Sequence, residues 1–98
     1  MNIKINAVRF TADQKLTELI EKKVTKLNQY FDNIIGAEIT LKVDKPESHN
    51  NKIVELSLSV PSHDHLFVKK QEESFEKGID QAVDAMRKQI DKYKERMK

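Results

Sequence analysis

The sequence predicts an α+β domain of order β-α-β-β-β-α, with two helices covering the apolar face of a four-stranded sheet. Two observations carry that expectation. Four short runs alternate apolar and polar residues with the period of a half-buried strand, and two longer runs repeat apolar residues at steps of three and four, the period of an amphipathic helix. Clean alternation means a sheet with one apolar and one polar face, typical of antiparallel pairing. Ninety-eight residues fit a single domain spanning 1–98.

The first run, NIKINAVRF, sets Ile3, Ile5 and Ala7 against Lys4 and Asn6, and its phase slips at Val8 and Phe10, which marks a bulge or the strand's end. Thr11 stands three residues before Gln14, so a capping box is expected to open the first helix. Leu16, Leu19, Ile20, Val24, Leu27, Tyr30 and Phe31 then follow helical spacing, with a stop expected near Asp32–Gly36, where Gly36 can adopt positive φ. AEITLKV places Ala37, Ile39, Leu41 and Val43 on one face, and IVELSLSV does the same with Val54, Leu56, Leu58 and Val60. The polar DKPESHNN joins these two runs as a loop. PSHDH is read as a turn and HLFVKK as a short last strand. The second helix is expected from Ser74, as N-cap, with Phe75, Ile79, Ala82, Val83, Met86, Ile90, Tyr93 and Met97 on its apolar stripe. No strand follows, so the order differs from that of an RNA-recognition module, whose paired stacking aromatics are also missing.

Composition excludes several classes. A chain this short buries only about 60–65% of its unfolded surface and leaves little room for a deep catalytic cleft. With no cysteine, a disulfide framework or thiolate metal site is excluded, which agrees with a reducing, cytoplasmic setting. The amino terminus has no apolar core of signal-peptide length, and no stretch approaches the ~18 apolar residues of a membrane span.

Charge is distributed unevenly. Residues Arg87 to Lys98 carry six cations against Asp91 and Glu95, a net +4 in a chain totalling +2, so residues 1–86 sum to −2. At about 100° per residue, Lys88, Lys92 and Arg96 form one row on the second helix, and Arg87, Lys94 and Lys98 another. The rows flank the apolar stripe, with Asp80, Asp84, Asp91 and Glu95 on the far side between them. On the first helix Lys15, Lys22 and Lys26 share a ridge, with Lys23 beside the apolar face. Packed side by side, the two helices would present one positive surface suited to a polyanion, whose phosphates release counterions when neutralised. Charge placement alone leans toward a solvated face whose cations complement a helix dipole or snorkel beside apolar surface, because Glu18, Glu21, Glu76 and the four carboxylates of the second helix dilute the field.

Signals for catalysis are poor. His63 and His65 flank Asp64 in the expected turn, and a metal site would need His49 as third ligand; turn chemistry accounts for Ser62, His63 and Asp64 better. No nucleophile motif occurs, two glycines cannot build a phosphate-cradling loop, and Glu72-Glu73 suits the dipole of the helix that follows. No enzyme activity, metal or cofactor is expected.

Lys23-x-x-Lys26-Leu27-Asn28-Gln29-Tyr30-Phe31-Asp32 on the first helix, together with Ile79-Asp80 and Lys88-Gln89-Ile90-x-Lys92-Tyr93-Lys94 on the second, resembles the short ribosome hibernation-promoting factors. That family includes the ribosome-associated inhibitor called protein Y, and the resemblance runs from end to end. It implies a double-stranded-RNA-binding-like architecture. It also implies binding to the small ribosomal subunit and its ribosomal RNA, in the channel of messenger RNA and the A- and P-site transfer RNAs. Basic side chains of both helices would press on RNA phosphates and silence translation. At positions where the family motif is basic, the resemblance assigns Lys23, Lys26, Lys88, Lys92, Lys94 and Arg96; Lys22 and Arg87 join them from the ridge argument. Phe31 and Tyr93 read as core and Tyr30 as an edge contact.

Two departures stand out. Glu76 replaces the family tyrosine, and Lys88 stands where arginine is frequent, losing the planar fork that grips phosphate bidentately. The second, carboxy-terminal domain of long members has no counterpart among these residues, so a monomer that blocks the channel alone, or relies on another factor to dimerise ribosomes, is expected. No small-molecule substrate and no membrane partner are expected. The alternative from another class is a protein-interaction module using the polar sheet face of Glu38, Thr40, Lys42, Glu55, Ser57 and Ser59, a mixed-sign surface poor in hot-spot residues.

Overall fold

A computed structural model describes residues 1–45, 47, 49–61 and 64–96. In chain order it contains β1 (Asn2–Ala7), α1 (Gln14–Thr25) continued by a 3-10 turn (Lys26–Gln29), β2 (Gly36–Val43), β3 (Lys52–Val60), β4 (Asp64–Glu72) and α2 (Phe75–Arg96). The expected β-α-β-β-β-α order is therefore observed.

The four strands lie in the order β1-β2-β3-β4. β1 pairs with β2 in parallel, and the other two pairs are antiparallel. A parallel neighbour cannot be reached through a tight turn, so the chain crosses over between β1 and β2, and α1 is that crossover. Register aligns the apolar positions in a row from edge to edge: Ile5 opposite Ile39, Ile39 opposite Leu56, Leu56 opposite Val68. Slipping any strand by one residue would turn its whole row toward water, so burial of one face fixes the pairing.

Both helices cover this face. Ile20, Val24 and Leu27 from the first helical segment and Ile79, Ala82, Met86 and Ile90 from α2 are fully buried with Ile39, Leu41, Val54, Leu56 and Leu58. Each large side chain buried in this way contributes about 1.5–3 kcal/mol before entropy is counted. Gly78 lets α2 press onto β3, because a Cβ there would lie 2.8 Å from Val54 Cγ2. Phe10 stacks on Phe75 at 5.4 Å near the start of both helices, and Phe31 meets Tyr93 edge-on at 5.6 Å near their ends. Those two pairs mean that the helices run side by side in the same direction.

Several local expectations change. The N-cap of α1 is Asp13, whose carboxylate accepts the Leu16 N–H at 2.8 Å, and not Thr11. The helix starts at Gln14, which puts Thr11 outside capping reach, and the Gln14 amide instead donates to Glu18. The helix tightens into a 3-10 turn after Thr25 rather than running to Asp32. Gly36 opens β2 without positive φ, and among the described residues the left-handed one is Arg9 (φ 65°) in the turn after β1, where the sequence phase slips. β4 is nine residues long, not short, because all nine keep register with β3; Asp64 belongs to it rather than to the turn, and Gln71 and Glu72 extend it past the expected end. Ser74 caps α2 as expected, its hydroxyl accepting the Lys77 N–H at 3.1 Å. Met97, Lys98 and His63 lie outside the described residues.

Candidate nucleic-acid interface

The expected cations fall on the outer side of the helical layer, and their contacts show which flank each occupies. Lys23 pairs with Asp80 across the two helices. Lys94 Nζ donates to the Tyr30 carbonyl at 2.8 Å, and the Arg87 guanidinium lies 5.2 Å from the centroid of the Tyr30 ring. Arg87 and Lys94 therefore face the first helical segment. On the opposite flank of α2, Gln89 donates to the Phe67 carbonyl of β4 at 2.8 Å. Lys92 and Arg96 line a shallow groove of about 430 Å³ there with Leu66, Gln89 and Glu95. The two rows expected on α2 are present, but only Arg87 and Lys94 join the cations of α1. Lys92 and Arg96 look out over the β4 edge and Lys88 lies beside Asp84 of its own helix, so the one positive surface expected across both helices is divided between two adjoining flanks.

Engagement divides the set a second way. Among the described residues Lys22, Lys26, Lys92 and Arg96 make no hydrogen bond or ion pair. Lys88 sits 3.9 Å from Asp84 one turn earlier, a pair so exposed on both sides that its attraction is mostly screened. Asp91 and Glu95 stand exposed between the rows and dilute their field. Four cations are thus free to meet a ligand, and the other four already hold the protein's own groups.

Tyr93 packs against Phe31 with its hydroxyl donating to the Pro61 carbonyl at 3.2 Å, which makes it a core residue. Tyr30 is exposed. The Arg87–Tyr30 contact was not foreseen from the sequence; Tyr30 could be read as an edge residue, but its partner lies 57 positions away.

The two described histidines, His49 and His65, have separate partners. His49 Nε2 is 3.0 Å from Glu73 Oε2, and His65 Nδ1 is 3.4 Å from the Ser59 hydroxyl. The hydrogen bond and charge of Lys77, followed by His49, hold the Glu73 carboxyl below its ordinary pKa. Among the described residues no three metal-binding side chains cluster, and no helix is long and apolar enough to cross a membrane.

A mixed four-stranded sheet backed by two parallel helices, with unengaged lysine and arginine exposed on the outer helical surface, defines a small α+β domain. The chain belongs to the Sigma 54 modulation protein / S30EA ribosomal protein family, whose model matches residues 3–98. The ribosome hibernation promoting factor of Pseudomonas putida is 24% identical over 96 residues, covering 98% of this chain and 89% of that protein. The fold is shared with a ribosomal subunit interface protein from Coxiella burnetii (TM-score 0.84, 22% identity, 96% of this chain and 98% of the other). The N-terminal domain of Thermus thermophilus Protein Y is also similar (TM-score 0.79, 22% identity, 95% of this chain and 99% of the other).

Proposed function

We propose that this protein is a ribosome-binding hibernation factor, acting as one cytoplasmic, monomeric domain over residues 1–98. It occupies the messenger-RNA channel and the A- and P-site transfer-RNA positions of the small subunit. The observation that carries this reading is the family match over residues 3–98, together with a relative of nearly equal length named as a ribosome hibernation promoting factor. The site supports it through Lys22 and Lys26 on one flank and Lys92 and Arg96 on the other, all open to phosphate.

The mechanism needs no bond to be made or broken and no cofactor. Ribosomal RNA presents a rigid wall of phosphates with a condensed counterion layer. Each lysine or arginine that neutralises a phosphate releases counterions, which drives binding by entropy at low and moderate salt. Arg87, Lys94, Lys23 and Lys88 add to the same field while anchored to the protein. The folded domain then excludes messenger and transfer RNA by volume, and translation stops while the ribosome stays intact. The rigid two-helix layer matters here, because cations held in fixed relation to each other lose less entropy on docking than the same residues on a flexible tail.

The polar sheet face offers less. Four of its charges are paired with each other, Lys4 with Glu38 at 3.9 Å and Lys42 with Glu55 at 3.2 Å, and Phe67 is its one large exposed apolar side chain among the described strand residues.

Sucrose-gradient sedimentation tests the proposal. The protein should travel with small subunits and whole ribosomes at low salt and leave them at high salt. The fourfold variant Lys22→Gln, Lys26→Gln, Lys92→Gln, Arg96→Gln should leave the ribosomes at much lower salt than wild type while remaining folded, its melting temperature lowered only by the loss of cations at the two helix C-termini. A variant that still sediments like wild type would mean the binding surface lies elsewhere.

A further inference from the structure

Phosphate-binding cations carry no information about bases, yet the helical surface contains one group able to touch a base. Tyr30 closes the 3-10 turn and is 37% exposed. Its position is fixed from two sides. Lys94 grips its backbone carbonyl at 2.8 Å, and Arg87 sets a guanidinium over its ring at 5.2 Å. The following residue, Phe31, is locked in the core against Tyr93, so the backbone on that side cannot drift. An aromatic ring that is partly in water, held by two cations from a different helix and one turn beyond the unengaged Lys26, is more than an incidental surface tyrosine. Neither cation is paired with an acid: no carboxylate of the described residues bonds to Arg87 or Lys94.

We propose that Tyr30, backed by Arg87, is a stacking platform for one unpaired RNA nucleobase. This rests on the RNA-binding reading above and adds a second kind of contact to it. Bases splayed out of a helix stack on aromatic rings and on guanidinium planes, and every base has a π face to offer. Arg87 covers one side of the ring, and the exposed remainder takes the base. The guanidinium strengthens the arrangement because it attracts the ring's electron-rich face and the adjacent phosphate at once. The platform would favour RNA walls that contain a bulged or looped nucleotide over uninterrupted duplex, a preference that the lysines cannot supply.

The test uses the full chain and two RNA duplexes that differ at one position, an unpaired adenosine in one and an abasic nucleotide in the other. Binding is followed by fluorescence anisotropy at fixed salt. Wild type should bind the adenosine duplex about five-fold or more tightly than the abasic one, the low end of a stacking contribution. Tyr30→Leu should bind both duplexes equally, at the level wild type shows for the abasic RNA, and Tyr30→Phe should restore the preference because the ring is enough. A wild type that sediments with ribosomes but ignores the base overturns the platform alone. A wild type that binds neither ribosomes nor either RNA overturns the reading beneath it. Tyr30→Leu that folds and keeps the full preference also overturns the platform.

Discussion

The clearest quantitative consequence of the two-flank surface is the salt dependence of RNA binding. Neutralising Lys22→Gln with Lys26→Gln removes two cations that make no hydrogen bond or ion pair within the described protein. Any effect on binding is then an effect on the ligand. For a duplex-like wall each phosphate contact contributes about 0.9 to the slope of log K against log salt. Raising salt from about 50 to 200 mM is a fourfold change, so each contact accounts for roughly a 3.5-fold loss of affinity and two contacts for about 12-fold. Wild type should therefore lose about 12-fold more affinity over that range than the double variant, and its slope should be steeper by about two. Lys92→Gln with Arg96→Gln should give the same difference if the β4 flank also touches RNA, and the fourfold variant a difference near four. Stability should shift by no more than about 1 kcal/mol per site, the most that a cation at an exposed helix C-terminus contributes. Binding to isolated small subunits, measured at five or six salt concentrations, gives all four slopes. Four parallel lines would refute the surface assigned here. A changed slope for one pair only would confine the contact to that flank.

Three further outcomes follow from particular contacts. Asp80→Asn frees Lys23 and removes a negative charge from the flank facing α1, so low-salt RNA binding should tighten a few-fold while thermal stability changes by less than about 1 kcal/mol, as for other exposed pairs. Tyr93→Phe keeps the edge-on contact with Phe31 but strips the Pro61 carbonyl of its donor, and should lower the melting temperature by a few degrees, about 1 kcal/mol, with ribosome binding intact. Glu73 has its pKa lowered in the fold, chiefly by Lys77 and then by His49, so its stabilising contribution is fully present above its ordinary value of 4.5 and is lost as pH falls through the lower folded value. Glu73→Gln should flatten that acid limb in a pH series of thermal melts and leave stability above it independent of this step.

Much of the architecture is legible because periodicity reports burial directly. Val54, Leu56, Leu58 and Val60 alternate in sequence and all four are buried, and Ile79, Ala82, Met86 and Ile90 keep helical spacing and are fully buried too. Ends of elements are harder to read, since two nearby residues can satisfy the same backbone donors. Asp13 caps α1 although Thr11 and Gln14 have the spacing of a capping box. The length of β4 was hidden because its outward residues, such as Lys69 and Gln71, are ordinary loop residues until the register with β3 is known. The site shows the same division. Which residues are cationic, and that α2 carries two rows, follows from counting along a helix. Which row faces α1 does not, because it depends on packing between segments far apart in sequence, as in Lys23 with Asp80 and Tyr30 with Lys94.

One ordinary explanation competes with RNA binding for the cations, and their positions limit it. Lysine and arginine in the last turn of a helix stabilise it against the dipole by about 0.3–1 kcal/mol each, an effect that fades within one turn. Lys94 and Arg96 are in the last turn of α2, and Lys22 and Lys23 in the last turn of α1, so the dipole accounts for half of the candidate set. Arg87, Lys88 and Lys92 lie farther from the end of α2. Lys88 has only an exposed partner at 3.9 Å, and Lys92 has none among the described residues. Lys26 is the C-cap of α1, so the dipole of that helix favours a cation there as well. For Lys88 and Lys92 the protein's own stability supplies little reason for a positive charge, and the polyanion of the proposed function would supply one.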